Sequence, residues 1–524
     1  MAKPTKSPKK RTPARPRPQP QNPLLSRWTA PFEIPPFAAI EPRHFKPAFE
    51  AAFRAHNAEI KALTSNAAKP SFANTILALE KSGKQLSRVA AVFHNLEAAD
   101  STAELQEIAR EMSPRFAAHE SGILLDRNLF KRIDDLYARR DKLKLDDEQR
   151  RVLERHHLSF VRAGARLSST AKARVKEINA RLASLVTQFM QNVLKDEQSW
   201  RLVLDGETDL AGLPDDFRDA AARAAKDAGI EGKHLITLAR SSVEGFLTFS
   251  ARRDLREQAF KAWIERGANG GETDNRAILA EAVALRAEHA RLMGFKSFAE
   301  FSLEDTMAKR PDAVHELLGA VWSKAVERAK EERDALVAEA RHEGGNFPFA
   351  AWDWRYYAEK IRKARYDLDE AELRPYFQLD NMITAAFACA ERLFGLTFRE
   401  LPDAPRYHPD VRVWEVRDAK GGHVGVFLGD YFARPSKRSG AWMSSFKSQH
   451  AIGKGQRPII VNVLNCVKGN DGEPALLSFD DARTLFHEFG HGLHGLLSNV
   501  TYPSISGTAV STDFVELPSQ LYEH

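Results

Sequence analysis

Cysteine is nearly absent from this sequence: Cys389 and Cys466 are the only two in 524 residues, too few for a disulfide framework. That scarcity suits a reducing, cytoplasmic setting. No uninterrupted apolar run approaches the roughly 18 residues of a membrane span, so no membrane contact is expected. Residues 1–21 contain no acidic residue. They carry seven basic groups and the prolines Pro4, Pro8, Pro13, Pro16, Pro18 and Pro20, with little apolar surface to bury, and read as a disordered basic tail. No apolar stretch follows the leading lysines, which argues against a secretory signal, and the prolines argue against an amphipathic presequence. A Gly-x-Ser-x-Gly elbow is also missing, and neither cysteine has a histidine beside it in sequence.

The net charge of +6 resides in that tail. Removing its seven basic groups from 77 leaves 70 against 71 acidic residues, so the folded body is not a basic nucleic-acid binder. A hydrophobic share of 43% with 28% charged residues fits a soluble globular enzyme, and 524 residues exceed one core, so several lobes around a cleft are expected.

From Pro47 to about Leu194, apolar residues recur three or four apart, as in Phe49, Ala52 and Phe53 or Ile178, Leu182, Leu185 and Phe189, the spacing of amphipathic helices. A short strand is predicted at Leu202–Leu204 and another around Leu235–Thr237. Helical periodicity returns from Ser250 to Phe398, with Pro311 just inside a helix start. Near Pro405 the character changes. Val411–Val416 and Val424–Leu428 flank Gly421-Gly422 as a hairpin, and Pro458 to Leu464 forms a third β-branched run. The fold class is therefore mainly α, with a small sheet just before the most informative segment.

That segment is His487-Glu488-Phe489-Gly490-His491. Histidines four residues apart share one helix face and offer neutral nitrogens to a divalent transition metal, while Glu488 lies on the neighbouring edge. Ser478 and Asp481 match an N-terminal capping box, and helix formers run from Phe479 to Leu497. Glu516 is available as a third ligand. The other reading of this short motif is a pair of core histidines satisfied by hydrogen bonds. His494, seven residues after His487, shares its face and is expected to play a supporting or structural part. Asp513, three residues before Glu516, could accept a proton from a ligand imidazole or cap a helix. The strand ending at Asn465 either offers an edge to a peptide or is covered on both sides. The aromatic cluster Trp352, Trp354, Tyr356 and Tyr357 reads as core rather than as a substrate platform.

Phe486-His-Glu-Phe-Gly-His-Gly-Leu-His494, followed by Ser506-Gly507-Thr508 and Asp513-Phe514-Val515-Glu516-Leu517-Pro518-Ser519, closely resembles the thimet oligopeptidase (M3) family of zinc metallopeptidases. Asn22-Pro23 with Trp28, Pro35-Pro36-Phe37, Trp352-Asp353-Trp354, Tyr366-Asp367-Leu368-Asp369, Gly425 to Ala441 and Asn462-Val463-Leu464-Asn465 resemble its peptidyl-dipeptidase and oligopeptidase A group. The resemblance implies a two-lobed helical fold with a deep substrate channel. It implies one Zn2+ per chain on His487, His491 and Glu516, with Glu488 as the base that activates water against short peptides. Release of C-terminal dipeptides is the expected activity; the alternatives are a thimet-like endo-oligopeptidase and an inactive metal-binding protein. A basic tail at 1–21, a helical region at 22–240 and a catalytic unit at 241–524 are expected, in a monomer. Family members continue past the third ligand with a histidine and tyrosines that polarise the substrate carbonyl, so the end at His524 is read as a truncation that puts turnover in doubt.

Overall fold

A computed structural model describes residues 22–366, 370–469 and 472–524. The tail at 1–21 and the Asp367-Leu368-Asp369 part of the family-like motif lie outside the described residues.

Helical spacing in the first two hundred residues becomes helices at Phe45–Thr64, Lys84–Ala99, Ala103–Leu124 and Ser169–Ser199. The predicted periodic residues form their inner faces. Phe49, Ala52 and Phe53 are buried on the first, where the Phe49 ring meets Phe93 and Phe116 edge-to-face at 5.3 and 5.0 Å. Strands β1 (Leu202–Leu204) and β2 (His234–Ile236) pair antiparallel as a small ribbon. Pro311 opens a helix running to His342, as its position predicts.

A five-stranded sheet carries the rest: β3 (Thr397–Glu400), β4 (Arg412–Arg417), β5 (His423–Phe432), β6 (Trp442–Lys447) and β7 (Ile459–Cys466), in the order β3-β4-β5-β7-β6. The predicted hairpin is β4–β5. Its turn is held by Asp418, whose carboxylate accepts from the backbone of Lys420 and Gly422, while Gly421 supplies a φ of +80° that a side chain would resist. β3 and β6 were not foreseen. β3 is four residues long and ends the stretch predicted as helix, and Trp442-Met443-Ser444-Ser445-Phe446-Lys447 contains no β-branched residue to announce a strand. β7 lies between β5 and β6, so both its sides are paired, and the edge strands are β3 and β6.

Alternation along the strands gives the sheet two buried faces. Val411, Val413, Val426, Leu428, Ile459 and Val461 pack toward the N-terminal helices in one core. Trp414, Val416, Phe427, Ile460 and Leu464 face the opposite way, onto the helices Leu379–Phe394 and Phe479–Leu496. The histidine-bearing helix thus rests on a sheet that the N-terminal helices support from behind. No described helix is long and apolar enough to cross a membrane.

Candidate active site

The helix Phe479–Leu496 begins where its capping box predicts. Ser478 Oγ accepts from Asp481 N at 3.0 Å, and Asp481 Oδ2 accepts from Ser478 N at 3.1 Å. Leu485, Phe489, Leu493 and Leu496 bury its inner face. Three glycines interrupt this helix interior, each costing about 1 kcal/mol in propensity. Gly490 shows what that cost permits: a Cβ there would stand 2.7 Å from Ser519 Cα and 2.9 Å from Pro518 O. Only a bare backbone lets the short helix Glu516–Tyr522 come this close.

That approach delivers Glu516 to the histidines. Its Oε2 lies 3.3 Å from His487 Nε2 and 3.1 Å from His491 Nε2, and one donor atom from each residue falls within 4.8 Å of the other two. Two ligands of a tetrahedral zinc at about 2.1 Å stand roughly 3.4 Å apart, so these separations fit such an ion. The donor set fits as well: two imidazoles and a carboxylate are a common zinc combination. His487 Nδ1–H donates to Glu523 Oε1 at 2.6 Å, which keeps the proton on Nδ1 and turns the Nε2 lone pair toward Glu516. Burial lowers the pKa of His491, with Glu516 opposing, which favours the neutral ring a cation needs.

Glu488 is 6% exposed, and its Oε2 has no hydrogen-bond partner among the described residues. Burial pushes its carboxyl up to about 7; the His487 charge opposes this and Glu516 adds to it. An unpaired buried carboxyl is costly unless something engages it, which is the condition of a group kept for proton transfer.

The two other expected residues stay outside the converging set. His494 lies one turn beyond His491 on the same helix, and its buried Nδ1 has no partner among the described residues. Asp513 turns away from the histidines, because its two oxygens accept the backbone N–H groups of Met307 and Ala308 at 2.9 Å each. The carboxylate on a site imidazole is Glu523 instead. Sequence reasoning missed it, although Glu523 stands seven residues after Glu516, two turns along one helix face. Pro518 sits in the first turn of that helix, where its missing N–H costs nothing. Of the aromatic cluster, Tyr357 is buried core, whereas Trp352 and Trp354 line a cavity of about 700 Å3 with Phe260 and Trp263.

A mainly helical scaffold that brings two helix-borne imidazoles, a ligand-type carboxylate and an unpaired glutamate together defines a metallopeptidase-like centre. Comparison with known proteins specifies the class further. The family model of Peptidase family M3 matches residues 246–524. Over 504 residues the chain is 42% identical to a dipeptidyl carboxypeptidase of Escherichia coli (strain K12), covering 96% of this chain and 74% of that one. Oligopeptidase A of the same organism is 32% identical over 510 residues, with the same shares covered. A thimet-like oligopeptidase of Dictyostelium discoideum is 26% identical over 473 residues, covering 87% of this chain and 68% of the relative. The chain belongs to peptidase family M3 and is a metallopeptidase.

Proposed function

We propose that this chain is a zinc-dependent peptidyl-dipeptidase, removing C-terminal dipeptides from short peptides, with His487, His491 and Glu516 holding one Zn2+ and Glu488 as general base. The observation that carries the reading is the convergence of three ligand-type atoms within 4.8 Å beside an unpaired carboxyl on the same helix. Zinc supplies Lewis acidity, which makes water nucleophilic near neutral pH and polarises the scissile carbonyl. Glu488 takes the proton from the attacking water and passes it to the departing amine, so no acyl-enzyme is needed. Glu523 holds the His487 ring in one tautomer throughout. Ser519 Oγ donates to Glu516 Oε2 at 2.8 Å and orients that carboxylate.

Dipeptide release rests on the higher identity to the dipeptidyl carboxypeptidase than to oligopeptidase A. The same reading places the catalytic unit at 241–524 and a helical region at 22–240, as two lobes about a channel, in a cytoplasmic monomer. Replacing Glu488 by Gln tests it: zinc content should stay near one per chain while kcat falls at least about 100-fold. Undiminished turnover by that variant would remove Glu488 from the mechanism. Blocking the C-terminal carboxylate of the peptide should stop cleavage by a dipeptidase and spare an endopeptidase.

A further inference from the structure

A cavity of about 650 Å3 opens where the Lys84–Ala99 helix, the end of β6 and the Pro503–Ile505 turn meet. Its charges do not balance. Arg27, Lys84, Arg88 and Lys447 line it against two carboxylates, Glu33 and Glu80. Both carboxylates are already engaged. Lys447 Nζ donates to Glu33 Oε2 at 2.7 Å, while Glu80 stands 2.5 Å from His156 Nε2 and accepts from Ser504 N at 3.3 Å. Arg88 lies over the Trp28 ring and donates from Nη2 to Leu24 O at 2.8 Å, but its Nε is buried without a partner. Arg27 and Lys84 are exposed and form no ion pair with any described residue. His450, only 8% exposed, also lines the cavity, with Nδ1 unpartnered. Surplus positive charge beside desolvated, unused polar atoms calls for an anion that can accept several hydrogen bonds.

The cavity wall identifies the kind of anion. Ser445 to Ser448 contribute to it; Ser445 to Lys447 end β6, one of the two edge strands of its sheet, where Ser445 O accepts from Asn95 Nδ2 at 3.3 Å. The remaining backbone groups of an edge strand are a surface for an extended polypeptide. The cavity also lies within reach of the histidines. Ser504 is three residues from Gly507, whose backbone packs on Gly495, and Gly495 is four residues along the helix from His491. Adding a helix rise of about 6 Å, a backbone contact of about 4 Å and a link of at most about 10 Å gives a separation of no more than about 20 Å. Roughly six extended residues span that distance.

We propose that this cavity receives an acidic side chain of the peptide being cleaved, no more than about six residues from the scissile bond. The proposal rests on the peptidase reading above. Dipeptide release leaves only two residues on the C-terminal side, so an acidic residue three to six positions from the bond lies on the N-terminal side. The substrate class is then an acidic peptide with its acidic residue within that reach.

Two decapeptides test this, one with Asp at the third to sixth positions before the cleaved bond and one with Asn there. The intact protein should cleave the Asp peptide with about tenfold lower KM. The Arg27→Gln/Lys84→Gln double variant should lose that difference, whereas Lys144→Gln, an exposed charge change outside the cavity, should keep it. Equal KM values in the intact protein, or a preference that survives the double variant, would overturn the proposal. Should neither peptide be cleaved, the peptidase reading fails while the cavity remains testable. Fluorescence anisotropy of the labelled decapeptides on the Glu488→Gln protein then decides, with about tenfold tighter binding of the Asp peptide expected and equal affinities contradicting it.

Discussion

His487 and His491 look alike in sequence but are held differently. His487 has its Nδ1 proton fixed by Glu523, whereas the Nδ1 of His491 is buried with no partner among the described residues. The hydrogen bond to Glu523 fixes the tautomer and orientation of the His487 ring, an effect that typically makes a difference of about 10- to 100-fold in metal affinity. Glu523→Ala should therefore weaken zinc binding by about that factor in a chelator competition, and Glu523→Gln, which still offers an acceptor oxygen, should lose less. Identical affinities for all three proteins would mean that Glu523 does not orient the ring. The ligand-type residues were legible because a four-residue spacing places them on one helix face. Glu523 was not, since a glutamate near the end of an amphipathic segment usually faces solvent, and only the close helix crossing turns it inward.

At the scale of elements, the site depends on how closely two helices approach. Gly490 permits the contact, and a methyl group there meets the backbone of Ser519, which cannot swing aside as a side chain would. Gly490→Ala has two opposed effects: a gain of about 1 kcal/mol in helix propensity and displacement of the helix that carries Glu516. Displacement should win at the site. Zinc affinity is expected to fall at least about tenfold while far-ultraviolet circular dichroism stays unchanged, and unaltered affinity would contradict this account of the glycine. The capping box, the histidine helix and the β4–β5 hairpin were all readable because each is specified by residues within a few positions of one another. β6 was not, because its place in the sheet comes from pairing with β7, not from its own residues. That omission mattered: β6 is the edge strand beside β7, and β7 is enclosed.

Across the whole molecule, the sheet joins the N-terminal helices to the histidine helix, and a buried charge cluster ties down its end. Asp430, fully buried, receives Lys437 Nζ at 2.7 Å, two Arg434 nitrogens at 2.8 and 2.7 Å, and the Tyr407 hydroxyl at 2.7 Å. Burial alone would raise its carboxyl, but Arg434 and Lys437 outweigh that and hold it below its ordinary 3.8. The stabilisation is complete above that value and is lost as pH falls through the lower folded-state pKa. Asp430→Asn leaves Lys437 buried without its counter-charge and should cost about 3–5 kcal/mol at neutral pH. Its deficit in thermal midpoint should begin to shrink below pH 3.8, where the unfolded chain's carboxyl takes up its proton, and go on shrinking as pH falls through the lower folded-state value; a deficit constant into acid would refute the linkage. The cationic cavity beside β6, by contrast, joins residues hundreds of positions apart and leaves no local sequence pattern. The claim on which the functional reading depends is tested most directly by X-ray absorption at the zinc edge on the metal-loaded protein. Scattering from two imidazoles and oxygen ligands at about 2.0–2.2 Å, without sulfur, is expected, and it should lose its oxygen component in part with Glu516→Ala. A sulfur shell, or a spectrum unchanged when both His487 and His491 are replaced by Ala, would contradict it.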